Sequence, residues 1–256
     1  MFKRKQRKRA ELRARPFPVD WERILEKRFP LYRRLPASDA EELKGHVHVF
    51  LAEKRFEGCA GFTITDEVRV VIAANACLLL LHRDTDYFPS MTSILVYPTT
   101  FLVEKAEAEH DWVVSEYTED LAGESWDLGP VVLSWEDVLE DAAEDADGYN
   151  VVLHEFAHQL DLENGDVDGV PKLGSRAEYA EWERVFSEAY NQLIADVDAG
   201  RPTVVDEYAA EGPDEFFAVL VEAFFETPSE LREDLPKVYQ SLKHYFDQDP
   251  ARWNPR

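Results

Sequence analysis

The sequence predicts an α+β fold with a small sheet in its N-terminal half and a helical C-terminal half. Three observations lead there. Residues 93–98, 112–117 and 129–135 are β-type apolar runs, all in the first half or at its end. Runs with apolar residues at helical spacing fill most of the chain after residue 148. At 256 residues and 45% hydrophobic content, the chain can bury a substantial core, and no repeat or low-complexity tract interrupts it.

The chain opens on a basic segment. Its first fifteen residues carry eight Lys and Arg side chains against Glu11 alone, a net of +7, which leaves −31 on the remainder of a chain totalling −24. Short charged N-termini are usually solvated, so residues 1–17 are expected to form a disordered arm, with order beginning near Pro18. A body this acidic repels nucleic acid and anionic lipid.

Residues 21–29 read as a short helix ahead of Pro30. Ser38-Asp39-Ala40-Glu41 has the form of a capping box, and Leu43, Val47, Phe50 and Leu51 recur at helical spacing, giving a helix over 38–54. His46 and His48 on that helix point to different faces and read as structural or solvated, as do His82, His110 and His244. Residues 59–64 are a connector or short strand. Thr65-Asp66-Glu67 then caps a mostly apolar helix reaching about residue 81.

After the three β-type runs, Ser134 or Asp137 caps a helix through residue 143. The next helix spans 148–161 and stops at Asn164-Gly165. Residues 176–197 are amphipathic, with Trp182, Val185, Phe186 and Leu193 turned one way. Pro213 sets the start of a phenylalanine-dense, buried helix over 214–225, and a last helix runs from Ser229 or Leu231 to about Phe246. One domain over 18–256 is expected, with an N-terminal lobe of about 18–147 and a second lobe of about 148–256. The basic run is not followed by an apolar segment, and the apolar run at 77–81 is far too short to span a bilayer. With Cys59 and Cys77 expected to stay reduced, the sequence points to a cytoplasmic chain.

The chemistry concentrates in the helix over 148–161. His154 and His158 lie about 40° apart around a helix and one turn apart along it, so both imidazoles can reach one ion. With Glu155 between them this is the HExxH arrangement, in which two histidines hold zinc and the glutamate acts as general base. Val151, Val152, Leu153, Phe156, Ala157 and Leu160 make the helix largely buried, where uncoordinated His and Glu would be costly.

Such a site needs a third protein donor. Asp161 and Asn164 stand where an extended HExxHxxGxxH pattern has glycine and histidine, so that pattern is excluded. Glu178 sits among Glu181, Glu183 and Glu188 on a charged face and reads as solvated. Glu215 and Glu222 share a face of the phenylalanine-rich helix, where a buried carboxylate needs a partner. One of them is expected to bind metal directly while the other holds a histidine N–H, and Asp161 is a further candidate for such support.

Several separate stretches, in order, resemble the Mlc titration factor A metallopeptidases from about Trp21 onward. They are residues 129–135, the helix from His154 to Asp161 with Asn164-Gly165-Asp166, then Asp206-Glu207-Tyr208-Ala209-Ala210, then residues 213–219. The resemblance implies a zincin-like, gluzincin-type peptidase holding one Zn²⁺ through His154, His158 and Glu215. It also makes Glu155 the general base and Tyr208 a catalytic tyrosine. It further implies aminopeptidase-like activity on a peptide or protein substrate, and a Mlc-like transcriptional repressor as a partner. The alternative is a regulatory protein that sequesters a transcription factor, with zinc mainly structural.

Overall fold

The computed structural model describes residues 2–99, 129–143 and 147–255. The elements are α1 (Phe2–Arg13), α2 (Val19–Arg28), α3 (Ala37–Glu53), β1 (Arg55–Gly58), α4 (Asp66–Leu78), β2 (Ser93–Tyr97) and β3 (Val131–Ser134). They continue with α5 (Trp135–Asp141), α6 (Val151–Asp161), α7 (Arg176–Asp198), α8 (Pro213–Glu226), α9 (Pro228–Asp234) and α10 (Pro236–Phe246). The strand expected at 112–117 and His110 lie outside the described residues.

The strands form one parallel sheet in the order β1-β2-β3, with Phe56 opposite Ile94 and Ile94 opposite Val131. Parallel neighbours need a crossover, which α4 supplies between β1 and β2. Nothing in the sequence marks β1, because Arg55-Phe56-Glu57-Gly58 holds a single large apolar residue; pairing with β2 is what makes it a strand. Thr65 caps α4 by accepting the Val68 N–H, and Ser134 caps α5 by accepting that of Asp137.

The basic segment is a correction. Residues 2–13 are helix, not disordered arm, and the helix is anchored by a buried arginine. Arg9 is 1% exposed. Its guanidinium grips both oxygens of Glu53 at 2.8 and 2.7 Å, reaches Asp86 at 2.6 Å and lies 4.6 Å over the Tyr87 ring. A planar fork met by two carboxylates can tolerate such burial. Gly45 of α3 admits the close crossing, since a Cβ there would stand 3.3 Å from Arg13 Cβ. The partners of Arg9 are 44 and 77 residues away, so local composition cannot reveal them.

Boundaries also differ: α6 starts at Val151 rather than 148, and α4 ends at Leu78 rather than about 81. The capping box at Ser38 is not used: α3 starts after Pro36, and Asp39 instead accepts from Ser38 Oγ and faces His82 Nε2 at 3.2 Å. The last helix is two, because Pro236 opens α10 and disfavours helix at Leu235 before it. His46 is structural as expected, buried with Nδ1 2.7 Å from the Tyr87 hydroxyl. Among the described residues no helix is long and apolar enough to cross a membrane.

The core sits where α8 lies against α6. Helix α8 is apolar on nearly every side and buries Phe216, Phe217, Phe224 and Phe225, each contributing about 1.5–3 kcal/mol of hydrophobic stabilisation. From α6, Phe156 packs edge-on against Phe88 at 4.8 Å. The packing of α8 on α6 leaves their polar residues to meet along the remaining seam.

Candidate metal centre

Helix α6 begins at Asn150, whose side chain accepts the Leu153 N–H at 3.1 Å. Its apolar stripe of Val152, Leu153, Phe156, Ala157 and Leu160 is buried, which turns His154 and His158 toward the opening turn of α8. Pro213 occupies the first position of α8, so Glu215 falls in its first turn and Glu222 two turns further along the same face.

The side chains meet at short range. Glu215 Oε2 lies 3.0 Å from His154 Nε2 and 3.6 Å from His158 Nε2, and the two Nε2 atoms are 3.2 Å apart. On its other side His154 Nδ1 faces Glu222 Oε1 at 2.8 Å. A carboxylate there keeps the proton on Nδ1 and leaves the Nε2 lone pair free. Three electron-rich atoms therefore converge, an arrangement that calls for a cation. Donors held about 2.0–2.1 Å from a tetrahedral ion stand about 3.3 Å from one another, so the observed spacings suit one. His154, His158 and Glu215 are the metal-capable group among the described residues.

The electrostatics agree. Burial alone would lower both histidine pKa values, but Glu215 and Glu222 outweigh it at His154, and Glu215 and Glu155 outweigh it at His158, so both are raised. Burial works against the charge on Glu215 as well, yet the two histidines hold its carboxyl far below the usual carboxylate range. Glu155 flanks the trio, its pKa raised by burial against the pull of the histidines. Tyr208 stands on a 3-10 turn, Glu207–Ala210, with its ring centroid 6.2 Å from that of His154. Burial and the neighbouring Glu215 carboxylate push its hydroxyl well above its ordinary pKa.

The structure thus brings His154, His158, Glu215, Glu155 and Tyr208 together, with Glu222 behind His154. Asp161 does something else: fully buried, it accepts the Gly169 N–H at 2.8 Å. Gly169, at φ +76°, packs so closely on the Pro213 carbonyl that a Cβ would collide with it, so Asp161 helps to set where α8 starts. Glu178 is away from the centre and accepts the Gly174 N–H at 2.8 Å. Sequence reasoning missed Asn150, whose N–H donates to Glu222 Oε2 at 2.5 Å and whose Nδ2 donates to Asn75 and Glu226 at 3.0 Å each. An Asn directly before an apolar helical run was the available signal.

This donor set, on a helix-rich frame with a small parallel sheet, fits a metallopeptidase-like fold. The chain belongs to the glucose-regulated metallo-peptidase M90 family, whose model matches residues 2–247. The match includes α1, ahead of the point near Trp21 where the resemblance in sequence was expected to begin. An uncharacterized protein of Synechocystis sp. is 42% identical over 241 residues, covering 94% of this chain and 88% of its own. Mlc titration factor A of Klebsiella pneumoniae is 34% identical over 235 residues, covering 91% and 87%. That of Cronobacter sakazakii is 32% identical over 236 residues, covering 91% and 87%.

Proposed function

We propose that this chain is a cytoplasmic zinc peptidase with a gluzincin-type site on a zincin-like layout, hydrolysing peptide bonds with aminopeptidase-like preference. His154, His158 and Glu215 hold the ion. A bound zinc supplies acidification of a water and polarisation of a substrate carbonyl. Glu155 takes the proton of the attacking water and returns it to the departing amine, a task suited by a pKa raised through burial. Tyr208, whose raised pKa keeps its hydroxyl protonated at neutral pH, donates a hydrogen bond to the oxyanion of the tetrahedral intermediate. β3, at the end of the strand order among the described residues and packed beside α6, offers its backbone to an extended substrate.

The observation that carries this reading is Glu155 beside the three donors, since a purely structural ion needs no base. The test is metal content together with hydrolysis of aminoacyl chromogenic substrates. Wild type should hold about one zinc and cleave; Glu155→Gln should hold zinc and lose cleavage by about three orders of magnitude or more; Glu215→Ala should lose the metal. Full activity in Glu155→Gln would remove Glu155 from the mechanism.

The name of the Klebsiella and Cronobacter relatives, Mlc titration factor A, favours a second reading. In it the chain binds a Mlc-type transcriptional repressor and the zinc mainly holds the fold. Bound zinc with no cleavage across a panel of peptide substrates would put this reading first.

A further inference from the structure

Tyr208 is the one member of the centre that stands outside the two packed helices, on a four-residue turn entered from residues 200–206. Its position depends on Asp206. One oxygen of Asp206 accepts the Tyr208 N–H at 2.8 Å, and the other accepts a short hydrogen bond from the Tyr149 hydroxyl. Tyr149 comes from the segment leading into α6, 57 residues away in sequence.

That segment is held at its α6 end. Asp147 Oδ1 accepts the Tyr149 N–H at 3.0 Å, and Gly148 takes φ +94°, a conformation that glycine adopts freely. The next residue, Asn150, is tied to Glu222, Asn75 and Glu226 in the core. The hydroxyl of Tyr149 therefore reaches from a fixed backbone to a surface turn. Glu222 links the same backbone to His154, so consecutive residues register both sides of the centre: Asn150 the metal donors, Tyr149 the tyrosine turn. Half-exposed at 50%, Tyr149 buries too little surface to be explained as core.

We propose that Tyr149 and Asp206 form a latch that positions Tyr208 over His154, His158 and Glu215. Tyr149 is thus a positioning residue for the peptidase reaction, which acts through Asp206. The inference rests on the peptidase reading for its kinetic consequence but not for the latch itself, and the two are tested separately.

The latch is read by hydrogen exchange in the metal-loaded full chain. Tyr149→Phe removes only the hydroxyl, and amide exchange over residues 207–210 should quicken about tenfold while exchange in α6 and α8 is unchanged. Unaltered exchange at 207–210 would overturn the proposal whatever the activity. The kinetics then read the consequence. Tyr149→Phe should lower kcat about tenfold with KM and zinc content nearly unchanged, and should cost nothing further in a Tyr208→Phe background, because displacement of a catalytic group by a fraction of an ångström acts only through that group. An equal loss in both backgrounds would overturn the positioning role. Quickened exchange in a protein whose wild type cleaves no substrate would uphold the latch and sink the peptidase reading instead.

Discussion

The two sides of the centre are held by different means. On the metal side, His154 leans on Glu222, which is 4% exposed and takes the Asn150 N–H, while Asn150 reaches on to Asn75 and Glu226 inside the core. On the tyrosine side, Tyr208 depends on a short turn tied down by Asp206 and a half-exposed Tyr149. The first network cannot move without disturbing the packing of α6 on α8. The second can open locally, at the cost of one or two hydrogen bonds, each worth about 0.5–1.5 kcal/mol. Donor geometry is thus part of the fold, whereas the placement of Tyr208 is a local device that can adjust independently of it.

The contrast would break most plainly at Glu222. Replacing it with Ala strands the His154 Nδ1–H and the Asn150 N–H in the interior. Zinc affinity should fall about 10–100-fold, and folding stability by about 3 kcal/mol. Asp206→Ala should instead leave zinc affinity within about twofold and act on kcat. Chelator competition and urea unfolding on both variants check this, and equal loss of zinc from the two would show that the sides are not separable.

A smaller effect sharpens the same contrast. Asp141 lies on the buried side: burial, with Glu222, Asp147 and Asp137 adding repulsion, pushes its pKa up to about 7 against an opposing hydrogen bond from the Val151 N–H. Arg28 lines the small cavity beside it but is paired with Glu67. With the folded pKa above the unfolded one, the folded state binds more protons between about pH 4 and 7, so stability falls as pH rises through that window. Asp141→Asn keeps an acceptor for Val151 and removes the titration. Its stability relative to wild type should rise by on the order of 1–2 kcal/mol between pH 5 and 8 in urea unfolding. A difference that does not change with pH would show that Asp141 is already charged in the folded state.

How much was legible follows the same division. Helix periodicity exposed α6 and α8, and the seven-residue spacing of Glu215 and Glu222 put both on one face, with one of the pair expected to hold a histidine N–H; Glu222 does so. The residue pattern left open which of the two would face the metal, and the three-dimensional approach of Glu215 Oε2 to both imidazoles supplies what spacing lacked. Tyr208 had no local signature, since a tyrosine on a short turn looks like any surface aromatic, and it entered only through family resemblance. Arg9 was misjudged because its partners, Glu53 and Asp86, lie far along the chain. Asn75, Asn150 and Glu226 escaped for the same reason, as their network closes only when α4, α6 and α8 pack.

The smallest expected effect concerns the glutamate that spacing alone makes a rival ligand. Glu178 lies twenty residues past His158, yet it stands in the first turn of α7, where Ser175 accepts its N–H and its own carboxylate accepts the Gly174 N–H at 2.8 Å. This is a reciprocal cap at a helix start, worth about 0.5–1 kcal/mol. Glu178→Ala should therefore lower stability by about that amount and leave zinc content and cleavage unchanged, as metal analysis and a melting curve on one preparation would show. Loss of metal would mean that α7 reaches the centre in solution, and that the donor side extends beyond the seam between α6 and α8.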